Sequence, residues 1–229
     1  MRRLFLAIFP HLRYTCIKIC LQGDTLFAMM GKTHLTIGIA AALAATQPAT
    51  VPECLAAVAA GAVGGVLCDI DTLRNDGHND SIAVQFTALA IAACILAVDW
   101  WQNMGLCAST LTLEQNRLSI GALALFTLWG IGFFSNHRGF THSIAAAALF
   151  SQAVWIICPA LSIPFAAAYA SHIFLDLLNK KGVRLLFPMK GGVHFDLFYS
   201  DRTANDLLFA LGILASAFLV LNEFALKLF

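Results

Sequence analysis

Seven consecutive residues, His137-Arg138-Gly139-Phe140-Thr141-His142-Ser143, carry two imidazoles, a guanidinium and two hydroxyls between the apolar stretches LWGIGFF and IAAAALF. Further ionisable groups sit beside apolar runs elsewhere: His34 in GKTHLT, Asp69 and Asp71 in CDIDT, and His172 and Asp176 in SHIFLDLL. His172 and Asp176 are four residues apart, so a helix stacks them on one face. Asp69 and Asp71 present two carboxylates just beyond a helix end, an arrangement suited to gripping a cation. His137 and His142 flank a turn at Gly139 and can converge. Imidazole with carboxylate suits zinc first, with manganese or magnesium as alternatives, and a carboxylate-rich set can hold two ions. A bound divalent ion would acidify its water and polarise a carbonyl or phosphoryl oxygen. Asp71 is expected as a further ligand or as the general base, and Arg138 as the holder of an anionic group.

Each part also has an ordinary structural reading. His34 at a helix start reads equally as an interfacial polar residue, and the two aspartates as loop acids. His172 and Asp176 could be a pair that fixes helix packing, although intramembrane ionisable groups are costly and mark function. In the 137–143 turn, Thr141 or Ser143 is expected to cap the following helix. The joint pattern favours a metal site. His194, Asp196, Asp201 and Asp206 are weaker candidates for shaping it, and His78 reads as a turn residue.

The elements that must position these groups are membrane helices. The chain is 59% hydrophobic and 12% charged, half the charge of a typical soluble domain. Apolar runs fall at 29–47, 53–68, 82–99, 118–134, 143–158, 161–178 and 206–222, near the roughly 20 residues of a membrane span. The expected fold is an all-α, polytopic transmembrane bundle of six to seven spans. Its Ala- and Gly-rich runs let helices approach closely. The run at 29–47 is the shortest of them in apolar character. The seven cysteines include no C-x-x-C pair and imply no disulfide framework. Residues 1–28 form a basic, apolar extension, either interfacial or outside the functional domain, with 29–229 as one membrane-embedded domain.

Following the chain through these spans puts all but Arg117 and Lys227 of the 14 Lys and Arg residues on one side. The positive-inside rule makes that side, with the N-terminus, cytoplasmic. Every candidate ligand falls at or near the cytoplasmic helix ends, so the charge bias and the cluster agree independently.

GKTHL, CDIDT, HRGFTHS and SHIFLDLLNKKGVRLLFP, in this order and among apolar spans, resemble the predicted membrane-bound metal-dependent hydrolases, the YdjM-like, LexA-regulated inner-membrane group. The resemblance covers about 29–190. It implies hydrolase chemistry, a bacterial inner-membrane location, expression in the SOS response, and metal ligation by His34, Asp69, Asp71, His137, His142, His172 and Asp176. Members of that family carry His after Asp-Ile-Asp, where this chain has Thr72, which puts a ligand at that position in doubt.

The expected function is hydrolysis of an ester or phosphoester at the cytoplasmic leaflet, on one or two divalent ions. A lipid or lipid-linked substrate fits a site at leaflet depth, and no nucleic-acid partner is expected. The alternatives are a metal or proton transporter and a purely structural metal site. No H-E-x-x-H motif is present, which disfavours a metalloprotease.

Overall fold

The computed structural model describes residues 31–72, 79–106, 115–179, 182–189, 191–195 and 202–225. The extension at 1–28, His78, Asp196 and Asp201 lie outside the described residues. Seven α-helices occur among the described residues: α1 Gly31–Thr46, α2 Val51–Leu67, α3 Asn79–Gln102, α4 Gln115–Phe133, α5 Ile144–Ile157, α6 Pro159–Leu177 and α7 Arg202–Ala225. Each coincides with one apolar run, and no strand occurs among the described residues.

Five segments are long and apolar enough to cross a membrane: Val51–Asp71, Ser81–Gln102, Asn116–Phe133, Pro159–Leu177 and Thr203–Glu223. The 16 residues of α1 and the 14 of α5 fall short of a full span. The six to seven expected spans therefore resolve into five full-length helices and two shorter ones. Trp100 and Trp101 end α3 fully exposed, as interfacial indoles do.

Local chemistry sets the helix ends. Thr50 caps α2 in a reciprocal box: its hydroxyl accepts from Glu53 N, while Glu53 Oε2 accepts from Thr50 N. At its other end α2 tightens into a 3₁₀ turn, Cys68–Asp71. Ser143 caps α5, its hydroxyl accepting from Ala146 N at 3.1 Å, as one of the two expected candidates. Pro159 opens α6 at a first-turn position, where its missing N–H costs nothing.

The centre of the bundle is α1, α2 and α6, with α7 outside α1 and α3 outside α2. Glycine makes this possible. A Cβ on Gly38 would lie 2.7 Å from Gly65 Cα, and one on Gly65 would lie 2.6 Å from the His34 carbonyl oxygen. The α1 and α2 backbones therefore touch. On the other face of α2, a Cβ on Gly64 would lie 2.7 Å from the Phe165 carbonyl oxygen in α6. Close backbone approach through small residues is the packing available where lipid competes equally for large apolar side chains. Thr33 adds a bond across to α7, its hydroxyl donating to Asn205 O at 3.1 Å. A core of Phe150, Phe165, Tyr169 and Cys68 joins α2, α5 and α6.

Gly65→Ala is expected to destabilise the protein by about 1–3 kcal/mol, the usual range for overpacking. Gly130→Ala, where a Cβ meets nothing within 4 Å, is expected to leave the melting temperature unchanged. Thermal unfolding in detergent, followed by size-exclusion chromatography, compares the two.

Candidate metal centre

Two short turns and two helices build the centre. The first turn continues α2 and carries Asp69 and Asp71. The second, Phe140–His142, stands between α4 and α5. It follows Arg138, whose φ is 60°, and Gly139, where a Cβ would lie 2.6 Å from Asn136 O. This sharp reversal folds His137 and His142 back toward one point. The segment after α6 holds it down: Arg184 N donates to Arg138 O at 3.2 Å and Ile144 N to Leu185 O at 3.0 Å. α1 supplies His34, and α6 supplies His172 and Asp176.

The side chains meet. His34 stacks on His172 with ring centroids 3.8 Å apart. His172 Nε2 is 3.6 Å from Asp69 Oδ1. His142 Nε2 is 3.2 Å from Asp176 Oδ2 and 3.8 Å from Asp69 Oδ1. Three overlapping groups have ligand atoms within 4.8 Å of one another: His34–Asp69–His172, Asp69–His137–His142, and His142–His172–Asp176. Six of the seven expected ligands are in these groups. Asp69, His142 and His172 each belong to two, a sharing that suits one ion or a close pair.

The histidine tautomers are set from behind. His172 Nδ1 donates to the Gly65 carbonyl oxygen at 2.7 Å. His137 Nδ1 donates to Asp71 Oδ1 at 2.9 Å. Thr141 Oγ1 donates to Asp71 Oδ2 at 2.8 Å, so its lone pair accepts from His142 Nδ1 at 3.0 Å. Each ring is left with a lone pair on Nε2. Oriented imidazoles of this kind, backed by carboxylate or carbonyl acceptors, are the usual surroundings of a metal. His142 Nε2, His172 Nε2 and His34 Nδ1 are buried without a hydrogen-bond partner. A buried nitrogen lone pair without a donor is costly, and a divalent cation satisfies several at once. The donor set therefore fits a metal such as zinc.

Charge points the same way. Asp176 pairs with the Arg138 guanidinium at 3.1 Å, while Asp69 and Asp71 face imidazoles. Burial disfavours the imidazolium of His142, but the carboxylates of Asp176 and Asp71 against its two nitrogens outweigh this and raise its pKa to about 10.

Two expected roles differ in the structure. Asp71 is in none of the ligand groups. It is fully buried, with Oδ1 on His137 and Oδ2 accepting from Thr141 Oγ1 and from Arg138 N at 3.1 Å. It organises the second turn rather than facing the centre as ligand or base. Arg138, expected to hold an anionic substrate, is buried, and its Nη2 donates to Asp176 Oδ1 at 3.1 Å. It positions Asp176. Both differences have one cause: a buried turn must satisfy its own polar groups. Among the described residues of the centre, Asp69 and His137 are the most exposed, their side chains 14% and 27% accessible.

Thr72 replaces a possible histidine ligand with a turn residue. Its hydroxyl donates to Asp69 O at 2.7 Å, and Gln85 Nε2 donates to the same oxygen at 2.9 Å. Of the weaker candidates, His194 is exposed and in none of the ligand groups, and Asp206 pairs with Lys32. Sequence reasoning missed Gly65 and Thr141 as orienting groups. The one available signal was position: Gly65 is four residues before Asp69, one turn beneath it on the same helix.

No curated protein and no solved structure matches the chain. The family model of the YdjM inner membrane protein matches residues 29–227, an interval that contains every residue of the centre and all seven helices. On that match and the five span-length helices beneath the centre, the chain belongs to the YdjM inner membrane protein family.

Proposed function

We propose that this multi-pass inner-membrane protein is a metal-dependent hydrolase of an ester or phosphoester, working at the cytoplasmic leaflet. The observation that carries the reading is the convergence, beside Asp69 and Asp176, of buried imidazole nitrogens that have no hydrogen-bond partner. His34, Asp69, His137, His142, His172 and Asp176 would hold one or two divalent ions, zinc before manganese or magnesium. Such an ion, when bound, acidifies water and polarises a carbonyl or phosphoryl oxygen.

The chain's own groups divide the remaining tasks. Gly65 O, Thr141 and Asp71 orient the histidines, and Arg138 orients Asp176. Asp69 and His137 form the open edge, from which water and substrate enter. His137, with Nδ1 held by Asp71, would present Nε2 as a ligand atom at that edge. An open edge disfavours a purely structural metal, whose site is closed. A transporter is disfavoured because the space beneath the centre is lined by alkyl and aromatic side chains. Asp99, in the far half, caps the end of α3 by accepting from Leu106 N at 2.8 Å. A lipid or lipid-linked substrate reaches such an edge by lateral diffusion.

Elemental analysis of the purified protein is expected to find bound transition metal, lost in His142→Ala and Asp176→Ala. In Asp71→Asn the metal is retained while hydrolysis falls by about 10–100-fold, the usual effect of altering a group behind a ligand. Equal metal content in wild type and both alanine variants would remove the metal from this account.

Headgroup release from phospholipid or a lipid-linked phosphoester is expected in nanodiscs, abolished by chelation and restored by added zinc or manganese. An absence of release across all lipid classes and metals counts against the hydrolase.

For orientation, an impermeant maleimide applied to intact cells is expected to label Gln102→Cys above the native cysteine background and to leave His194→Cys unlabelled. The reverse pattern would put the centre on the outer face.

A further inference from the structure

A cavity of about 580 Å³ lies between α2, α3 and α4, with α5 and α6 behind it. Its size is that of a small-molecule pocket, but every side chain lining it is alkyl or aromatic. One wall is a stripe of α2 made by Ala56, Ala59, Ala60, Val63 and Leu67, spaced to fall on one helix face. The three alanines give the cavity its depth. Leu67 ends the stripe two residues before Asp69.

The mouth is lateral. Leu96 on α3 and Phe126 and Trp129 on α4 line the cavity and are 46%, 72% and 40% exposed. Both helices are membrane spans with little of their surface buried inside the protein. The cavity is therefore continuous with the surface that meets the bilayer, where the medium is hydrocarbon. Among the described residues lining it, the Trp129 indole N–H is the one polar side-chain group, too little to anchor an ion, a sugar or a peptide. From Ala56 to Leu67 the stripe runs about 16 Å at 1.5 Å per residue. That is about half of the roughly 30 Å hydrocarbon thickness of a bilayer, the depth of one leaflet.

We propose that this groove holds one acyl chain of a membrane glycerophospholipid, running from the Leu67 end beside the Asp69–Asp71 turn toward Ala56. Presentation of that lipid's ester or phosphate to the metal centre rests on the hydrolase reading, whereas occupation of the groove by the chain does not. The groove makes the substrate class amphiphilic: a polar bond at the open edge of the centre, an alkyl chain beneath it.

The test uses the full-length protein in nanodiscs of phosphatidylethanolamine and phosphatidylglycerol. Two phosphatidylglycerol probes carry a diazirine on the acyl chain, one near the carbonyl and one at the terminal methyl. After irradiation, the first is expected to label around Leu67 and Trp129 and the second around Ala56 and Ile157. Both should exceed by about tenfold the label at Leu214, an exposed residue of α7; that ratio corresponds to about 1.4 kcal/mol of preference. Ala122→Trp and Ala59→Phe, which fill the groove from opposite walls, should each remove that excess. The depth pattern is read in the native protein, so it stands even if a filled variant fails to fold. Even labelling over α3, α4 and α7, groove label unmoved by filling, or groove residues crosslinking to residues 1–30 or to a second copy overturns the proposal. Groove labelling in a protein that hydrolyses nothing overturns the hydrolase reading and leaves the groove. Phosphoester hydrolysis with even labelling overturns the groove alone.

Discussion

Among the described residues, three carboxylates share one centre at the helix ends with a single guanidinium, and much of the local structure follows from that imbalance. Removing an ion from water costs several kcal/mol even after relaxation, so each carboxylate must be held by specific partners. Asp71 is enclosed by His137, Thr141 and the Arg138 backbone. Asp176 is held by Arg138 and His142. Asp69 keeps some contact with water and faces His142 and His172. One guanidinium leaves negative charge over, and the histidines that surround it have their Nε2 lone pairs turned inward. A cation, whether a proton on His142 or a metal among the rings, would offset that charge.

That centre depends on how closely α1, α2 and α6 approach. His34 and His172 stack face to face from helices that are not neighbours in sequence. They do so because Gly38, Gly61 and Gly65 let the α1 and α2 backbones touch while Gly64 admits α6. The same glycine that removes the side-chain barrier, Gly65, supplies the carbonyl oxygen that fixes His172. Packing and ligand orientation are thus one interaction.

Much of this was legible in the sequence, for physical reasons. The apolar runs mark the helices because a backbone in lipid has no alternative to helical hydrogen bonding. The clustering of imidazoles and carboxylates was legible because His172 and Asp176 share a helical face and because polar groups stand out against apolar flanks. The roles of Asp71 and Arg138 were not. Composition places a carboxylate or guanidinium near a centre, but the turn's own unsatisfied groups decide which way it faces. The orienting partners were hidden too, since a backbone carbonyl has no signature in residue types. In the sequence, the segment around Gly182–Leu185 stands out only as part of the motif SHIFLDLLNKKGVRLLFP. Its work, bonding to Arg138 O and Ile144 N, is visible only in three dimensions. The apolar cavity was equally illegible: Ala56, Ala59 and Ala60 are ordinary helix formers, and only the separation of α3 from α4 turns their small size into space.

The two halves of the bundle answer opposite demands. The centre needs water and charge, and it sits where α2 and α6 end, so its polar groups need not be threaded through hydrocarbon. The region beneath excludes both, with alkyl walls directly under the turn that carries Asp69. The boundary between them is sharp: Leu67 lines the apolar space, and Asp69 faces the imidazoles. A freely water-soluble molecule could use the polar side alone, and the apolar side would then be an unfilled cost to packing. A molecule with both characters uses the boundary itself. On the proposed reading, depth in the membrane would be the means of selection, because only a bond lying at the junction of chain and headgroup would reach the level of the cluster.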